Sequence, residues 1–281
     1  MLLDLPVHAV IMKSRLMGIL NVTPDSFSDG GLFLDPEAAI AHGRELAAEG
    51  AEIVDVGGES TRPGAAGVPA GEEVERTAPV VAGLVAAGVA VSIDTSKAAV
   101  AGAALDAGAR MVNDVTALTA DPDLAGLCAD RGCEVALMHM QGTPRTMQQN
   151  PTYEDVVDDV KAFLTARVKA AVAAGIGEER IWIDPGIGFG KTLEHNLELL
   201  RRLGELRELG RPILVGTSRK TFIGKITGRE VGERIGGSIA SNVLALRAGA
   251  EMLRVHDVKE MREAALVAES ILDPEMAWSS A

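Results

Sequence analysis

The sequence contains few of the residues that mark a nucleic-acid-binding protein. Aromatic residues make up only 3% of the 281 residues, too few for a platform on which single-stranded bases stack. The 27 lysines and arginines are outnumbered by 40 aspartates and glutamates, which gives a formal net charge of −13. Such a charge disfavours nonspecific attraction to nucleic acid or to an anionic membrane. An anionic small molecule would therefore need a local cationic pocket.

Long apolar runs and cysteines are equally scarce. The sequence has no uninterrupted apolar run of about eighteen residues, the length that a membrane-spanning helix needs. The N-terminal stretch lacks the apolar centre of a secretory signal because polar residues interrupt it at Asp4, His8, Lys13 and Arg15. We therefore expect a cytoplasmic protein. Cys128 and Cys133 have a spacing unlike that of a zinc knuckle, and we expect them to be inert buried thiols.

Apolar runs of strand character that end in polar residues recur eight times along the chain. These runs end at, or lead into, Asn21, Thr61 with Arg62, Asp94, Asn113, His139, Asp184, Ser218 with Lys220, and Arg254 with His256. Helix-patterned segments follow the runs, and most of them stop at a glycine, the residue favoured just after a helix. Eight such units without a break in composition predict right-handed parallel βαβ connections in an α/β protein.

Two architectures fit this pattern, a closed (β/α)8 TIM barrel and an open doubly wound sheet. Eight units favour the closed barrel, and the absence of a GxGxxG motif after the first strand argues against a Rossmann sheet. We predict a single domain over residues 1–281, with a core over about 15–272 and short tails. In a TIM barrel all carboxyl ends of the strands lie on one face, so the polar residues above should converge there.

The predicted helices and loops place function on that same face. The helices are expected at 35–50, 72–87, 96–107, 121–131, 153–174, 192–208, 238–248 and 258–272. The long loops 21–34, 57–71, 139–152 and 216–237 are rich in glycine, proline, serine and threonine, and most returns from helix to strand are short. The longest loops therefore lie on the face of the barrel where binding and catalysis are expected.

The first two long loops carry groups suited to phosphate and to a metal ion. Residues from Asn21 to Gly31 predict a mobile lid, and the Asn21 oxygen suits a hydrated Mg²⁺ ion, although simple Asx turns also explain the segment. Thr61 and Arg62 lie in a glycine-rich stretch from Gly57 to Gly64, which favours close phosphate contact over a solvated surface arginine.

Asp94, Asn113 and Asp184 each end a predicted strand. Any one of them alone could be a buried structural group, but two carboxylates and an amide on one face suit a ring edge with several N–H donors. This combination indicates a pterin or a guanine-like ligand. Phe189 lies in the glycine-rich turn after Asp184 and is expected to form a wall of the pocket, whereas Lys191 is expected to be a solvated lysine at a helix start.

The last two strands supply the cationic pocket. Ser218, Arg219 and Lys220 follow the seventh strand, and Arg254 and His256 follow the eighth, where many barrels hold phosphate. Lys220 could instead form a Schiff base, but the cations around it favour a polyanion. Among the other histidines, His139 is expected to brace the core or a loop, and His8, His42 and His195 are expected at the surface.

Taken together, these segments resemble the dihydropteroate synthase family. The resemblance covers residues 16–257 and rests on the loop 21–31, the segment 58–64, Asp94 with Thr95, Asn113 with Asp114, the segment 138–142, the turn 184–191, the segment 218–220 and the segment 254–257, in the order of that family's motifs. Phosphate-binding barrels in general share single features of this set, but not the whole set.

The resemblance implies a role for each matching residue. It implies pterin binding by Asp94, Asn113, Met138, Asp184, Phe189 and Lys220; diphosphate binding by Asn21, Thr61, Arg254 and His256; p-aminobenzoate contacts by Arg62, Pro63, Ser218 and Lys220; and Mg²⁺ at Asn21. Lys220, Arg254 and Asp94 would be the catalytic residues. The family usually forms homodimers.

The family joins 6-hydroxymethyl-7,8-dihydropterin diphosphate to p-aminobenzoate and releases diphosphate, in folate biosynthesis. The residues fit a dissociative substitution that needs no protein nucleophile. A methyltetrahydrofolate-dependent methyltransferase would share the pterin-holding face but would not need the anion cluster. A noncatalytic pterin-binding paralogue is the remaining alternative, and the intact Arg62 and Lys220 argue against it.

Overall fold

The computed structural model describes residues 14–23 and 35–272, and this part of the chain contains eight strands. They are β1 (Arg15–Asn21), β2 (Ile53–Gly57), β3 (Val91–Asp94), β4 (Met111–Asp114), β5 (Glu134–Met138), β6 (Ile181–Asp184), β7 (Leu214–Val215) and β8 (Met252–Val255). The strands are parallel in the order β6-β5-β4-β3-β2-β1-β8-β7. A parallel bridge from Ile183 to Ile213 joins the two ends of this order. The predicted TIM barrel is confirmed, and the open doubly wound sheet is wrong.

Nine α-helices surround the barrel within the same described residues. They are α1 (Pro36–Ala48), α2 (Ala70–Ala86), α3 (Ala98–Asp106), α4 (Leu124–Arg131), α5 (Val156–Ala173), α6 (Leu193–Arg201), α7 (Thr221–Thr227), α8 (Ile235–Arg247) and α9 (Val258–Leu272). Local chemistry explains their ends: in α1, the Asp35 side chain accepts a hydrogen bond from the Glu37 N–H, and Gly50 adopts a φ of +112° just after the helix. No helix of the described residues is both long and apolar enough to cross a membrane.

The apolar side chains form two layers. One cluster fills the inside of the barrel with one residue from each of seven strands, Met17, Ile53, Met111, Ala136, Trp182, Leu214 and Met252. The larger cluster lies between the strands and the helices. Because side chains fill the barrel interior, it is a packed core and not a pore, and a ligand can enter only at a rim. Cys128 and Cys133 are buried, as expected.

Two predicted segments differ from the structure. The predicted helix 192–208 is α6 followed by a 3-10 segment, Leu203–Leu209, and Gly204 at the start of that segment lowers helix propensity. The predicted loop 216–237 contains α7, which the sequence did not predict because the helix has only seven residues, with Gly224 directly after its short apolar pair. Phe222 and Ile223 of this pair are buried, so packing forms the helix where local propensity does not. The prediction that residues 1–281 form one domain stays a prediction.

Candidate active site

A cavity of about 680 Å³ opens at the rim formed by the carboxyl ends of the strands. Ten of the residues that the sequence singled out line it: Asn21, Thr61, Arg62, Pro63, Asp94, Phe189, Ser218, Lys220, Arg254 and His256. They come from loops or strand ends spread over more than 230 residues of sequence, 256 − 21 = 235. For these ten residues the predicted convergence on one site is therefore confirmed.

Three predicted pterin residues do not line this cavity in the structure. Asn113, Met138 and Asp184 are each no more than 5% exposed, at the ends of β4, β5 and β6. In the sheet, Asn113 lies beside Asp94, and Met138 lies beside Asp184. The prediction from strand ends thus gave the rim on which these residues lie. It did not give their degree of burial, because burial depends on the loops that fold over them.

Asp55 is a buried residue of the site that the sequence analysis missed. Its Oδ2 accepts hydrogen bonds from Arg254 Nε at 2.6 Å and from Asn113 Nδ2 at 2.9 Å, and the residue is fully buried. The signal for Asp55 was an acidic residue inside the apolar run Ile53–Gly57. An acid within a buried strand needs a partner, but Asp55 is not at a strand end, so the pattern of strand ends does not reveal it.

Arg254 joins Asp55 to Asp94. Arg254 Nη2 donates to Asp94 Oδ2 at 2.8 Å, while its Nε is bonded to Asp55. Within the described residues, neither Asp94 Oδ1 nor Asp55 Oδ1 has a hydrogen-bond partner. A buried carboxylate oxygen without a donor is costly, so the oxygen of Asp94, which lines the cavity, is suited to accept an N–H group of a ligand.

Burial raises the pKa of Asp94 to about 7, and the nearby carboxylates of Asp55, Glu73 and Asp114 act in the same direction. The guanidinium of Arg254 opposes them. Asp94 can therefore change its charge near neutral pH, unlike an exposed aspartate. A strongly shifted carboxyl in a cavity is typical of a functional site.

The glycine-rich turn after β6 holds Lys220 in place. Asp184 Oδ1 accepts the N–H of Gly186 at 2.7 Å, which orders the turn. Lys220 Nζ donates to the carbonyl of Ile187 at 2.7 Å and lies 4.0 Å from the centre of the Phe189 ring. This cation–π contact fixes the ring as a wall of the cavity. Burial lowers the pKa of Lys220 to about 8, although Asp184 acts in the opposite direction.

Lys191 is buried, and the prediction of a solvated lysine is wrong. Only 3% of the residue is exposed, and Nζ lies 2.9 Å from His139 Nδ1 and 3.0 Å from the Phe189 carbonyl. The left-handed conformations of Gly188 and Gly190 turn the chain inward, which sequence spacing alone does not reveal. Burial lowers the pKa of Lys191 to about 7. His139 is buried beside it and braces the turn, as predicted.

Two glycines of this turn lie against the backbone of the loop after β5. A Cβ at Gly186 would lie 1.9 Å from the His139 carbonyl oxygen, and one at Gly190 would lie 2.6 Å from that of Gln141. The close approach is therefore to the loop after β5. This loop also bonds the turn directly, since Gln148 Nε2 donates to the Gly188 carbonyl at 2.8 Å.

The opposite part of the cavity is cationic. His256 stays neutral, because burial holds its pKa well below the usual range. The nearby cations Arg219, Arg254, Arg62 and Lys220 lower the pKa further. Ser218 Oγ lies 3.0 Å from His256 Nδ1 and orients the ring. A neutral histidine among several cations can donate a hydrogen bond to an anion while the cations supply the charge.

Asn21 ends β1 on the wall of the cavity. Among the described residues no group of three or more His, Cys, Asp or Glu side chains could hold a metal ion. Asn21 offers one side-chain oxygen, so a Mg²⁺ ion held there would take its other ligands from a substrate and from water. The predicted lid 21–31 is described only as far as residue 23, and the rest lies outside the described residues. His42 and His195 are partly exposed, which agrees in part with their predicted surface positions.

Comparisons with known proteins extend over nearly the whole chain. The family model of pterin binding enzymes matches residues 17–256. Dihydropteroate synthase of Escherichia coli is 46% identical over 259 residues, which is 92% of each chain, and that of Synechocystis is 45% identical over 92% of this chain and 90% of that one. The crystal structure of Yersinia pestis dihydropteroate synthase with a sulfonamide drug has a TM-score of 0.90 at 45% identity and covers 92% of this chain and 94% of that one.

A second solved structure contains a small molecule. Xanthomonas albilineans dihydropteroate synthase with 4-aminobenzoic acid has a TM-score of 0.87 at 49% identity, with 94% of each chain covered. The same motifs, the same barrel and this degree of identity lead to one assignment. The chain belongs to the pterin-binding enzymes and, among them, to the dihydropteroate synthase family.

Proposed function

We propose that the rim cavity joins 6-hydroxymethyl-7,8-dihydropterin diphosphate to p-aminobenzoate, with release of diphosphate. One observation supports this best: a single cavity is lined by the buried carboxylate of Asp94 and by a cluster of cations. Asn113 and Asp184 lie buried at other strand ends of the same rim. A pterin ring needs acceptors for its N–H groups, and a diphosphate needs cations. The methyltransferase alternative accounts for the carboxylates but leaves Arg62, Arg254 and His256 without a role.

The pterin ring is held by the buried acceptors. Asp94, Asn113 and Asp184 accept its N–H groups, and the Asp94 oxygen that lacks a partner within the described residues is the first candidate. Met138, Phe189 and Lys220 complete this part of the site. The cation–π contact between Lys220 and Phe189 presents a flat wall against which a planar ring can stack.

The diphosphate binds at Asn21, Thr61, Arg254 and His256. Arg254 uses Nε and Nη2 for Asp55 and Asp94, which leaves Nη1 uncommitted to either carboxylate. A Mg²⁺ ion bound by Asn21 and the substrate oxygens would act as a Lewis acid that stabilises the charge of the leaving group. Arg254 thus links the leaving group to the acceptors of the ring.

The arylamine lies between the loop after β2 and the start of α7. Arg62 and Pro63 border it from one side, and Ser218 and Lys220 border it from the other. No side chain of the cavity needs to act as a nucleophile, because the amine itself attacks the pterin methylene carbon. The C–O bond to diphosphate breaks with its electron pair on the departing oxygen, the C–N bond forms, and the amine releases one proton.

Departure of diphosphate largely precedes the attack. Asp94 and Asp184 stabilise positive charge on the ring, while Arg254 and His256 stabilise negative charge on the leaving group. Exclusion of water from the cavity would keep water from trapping the cation. Positional isotope exchange in the diphosphate substrate, measured without amine, tests this order. Oxygen scrambling is expected, and its complete absence would contradict early departure.

The overall reaction is tested by mixing the purified protein with pterin diphosphate, p-aminobenzoate and Mg²⁺ and assaying dihydropteroate. Product formation is expected, with a rate that falls when a chelator removes Mg²⁺. Normal pterin binding without product would favour the noncatalytic paralogue. Methyl transfer from methyltetrahydrofolate would favour the methyltransferase.

The enzyme acts as a cytoplasmic homodimer. Two buried thiols without a disulfide, Cys128 and Cys133, suit a reducing compartment. Leu244 on α8 with Val267 and Ile271 on α9 are 60%, 61% and 73% exposed, and they provide an apolar surface for a second copy. Sedimentation velocity should give twice the mass of the 29.3 kDa chain, and cell fractionation should recover the activity in the cytosol.

A further inference from the structure

The loop after β2, residues 58–69 and here called the β2 loop, is fixed at both ends and carries substrate residues in its middle. Arg76 Nη1 donates to the Gly58 carbonyl at 2.9 Å, and Glu59 Oε2 accepts the N–H of Val68 at 2.9 Å. The Glu59 side chain therefore spans the base of the loop. Thr61, Arg62 and Pro63 lie between these two points and line the cavity.

Lys97, which precedes α3, holds Glu59 from outside the loop. Its Nζ forms ion pairs with Glu59 Oε2 and with Glu73 Oε2 of α2. The Glu73 side chain is only 1% exposed, whereas those of Lys97 and Glu59 are 26% and 23% exposed. One partly buried cation thus balances two carboxylates from different elements. Glu59 lines the cavity, and Lys97 does not.

The charges make Lys97 important for the position of the loop. Both carboxylates are bonded to the same nitrogen atom, so without Lys97 they would face each other across a short distance. Glu73 cannot move into solvent because α2 holds it in a buried position. Glu59 can move, since it belongs to a loop. Repulsion between the two carboxylates would therefore displace Glu59 and the base of the β2 loop and leave the barrel in place.

We propose that Lys97 is a positioning residue for the arylamine site, acting through Glu59 to hold Arg62 and Pro63 at the distance from Lys220 that p-aminobenzoate requires. This inference rests on the proposed function, because it takes the β2 loop as one border of the arylamine site. The pterin acceptors Asn113 and Asp184 lie on other strands and do not depend on this loop, and Asp94 is held by Arg254 and not by Lys97. Loss of Lys97 therefore affects the two substrates unequally.

The test compares Lys97→Met with Lys97→Arg, and uses Lys169→Met as a matched control that removes an exposed lysine from α5. Lys97→Met should raise the KM for p-aminobenzoate about tenfold or more, the equivalent of one broken charge-assisted contact. The Kd of 6-hydroxymethylpterin, which lacks diphosphate, should change by less than about twofold because its acceptors stay in place. Lys97→Arg should largely restore the KM, and Lys169→Met should have no effect.

A double-mutant cycle identifies the route of the effect. If Lys97 acts through Glu59, the KM increase from Lys97→Met should largely disappear in a Glu59→Gln background. If the KM increases of Lys97→Met and Glu59→Gln instead multiply in the double variant, the proposal is overturned. Equal loss of pterin binding and p-aminobenzoate binding in Lys97→Met would also overturn it. If Lys97→Met alone fails to fold, Lys97→Gln keeps a polar side chain at this position but carries no charge to hold the two carboxylates together, and it should still raise the KM.

The Arg62→Ala variant separates this proposal from the proposed function. An unchanged KM for p-aminobenzoate in Arg62→Ala would overturn the assignment of the β2 loop to the arylamine site. An increased KM in Arg62→Ala together with an unchanged KM in Lys97→Met would overturn only the role of Lys97.

Discussion

Arg254 Nη2 lies 2.8 Å from Asp94 Oδ2, although 160 residues of sequence separate the two. The barrel brings them together because β3 and β8 both end at the same rim. The contact joins a residue assigned to the leaving group with one assigned to the ring. Negative charge that develops on the leaving group therefore interacts, through Arg254, with the residue that holds the pterin ring.

Asp55 should support the site without lining the cavity. Asp55→Asn keeps the shape but removes the ionic acceptor of Arg254 Nε and gives Asn113 a poorer partner. We expect a loss of about 1.5–3 kcal/mol in the free energy of unfolding, the usual value for a hydrogen bond to a charged group. Urea unfolding measures it, with Asp130→Asn on the exposed end of α4 as control. An unchanged free energy would show that Arg254 does not need Asp55.

Asp184→Asn should chiefly weaken pterin binding. The substitution keeps the side-chain shape but replaces a buried ionic acceptor with a neutral one, which costs about 1.5–3 kcal/mol, or about tenfold to a hundredfold in Kd. Calorimetric titration with 6-hydroxymethylpterin measures the change. Unchanged affinity would refute the assignment of Asp184 to the pterin.

Lys220 should give the reaction an alkaline limb. Burial lowers its pKa to about 8, so the charged form that binds an anionic substrate is lost as the pH rises through that value. The kcat/KM profile, which reports groups of the free enzyme, should fall above pH of about 8. Lys220→Arg keeps a guanidinium that stays protonated, and its profile should lose this limb. Persistence of the same limb in Lys220→Arg would assign it to another group.

Gly186 and Gly228 provide a matched pair of left-handed glycines. A Cβ at Gly186, with a φ of +66°, would lie 1.9 Å from the His139 carbonyl oxygen, whereas one at Gly228, with a φ of +70°, meets nothing within 4 Å. Gly228→Ala should cost only the left-handed conformation, about 1–2 kcal/mol. Gly186→Ala must also move the turn that carries Phe189, so it should destabilise more and abolish pterin binding. Thermal unfolding and pterin titration check both, and equal effects would contradict the steric argument.

Much of this site could be predicted because, in a parallel barrel, the place of a residue along the sequence of a strand determines its place along the barrel axis. A polar residue after an apolar strand run must lie at the carboxyl rim, so Asp94, Asp184 and Arg254 could be grouped without coordinates. Chain periodicity carries this information, and it needs no knowledge of side-chain packing.

The misses share a different physical cause. Asp55 lies inside a strand, where only the three-dimensional partner, Arg254, explains an acidic residue. Lys191 is buried because a turn of left-handed glycines reverses its direction. The α7 helix forms because Phe222 and Ile223 are buried, although local propensity is low. In each case tertiary packing overrides the local pattern.

The most direct measurement is a crystal structure of the protein with a pterin diphosphate analogue, p-aminobenzoate and Mg²⁺. We expect the ring at Asp94, Asn113 and Asp184, the diphosphate at Arg254 and His256, and the amine beside Lys220, all at the carboxyl rim of the barrel. A pterin bound at the opposite end of the barrel, or a ring and a diphosphate held at separate sites, would contradict this expectation.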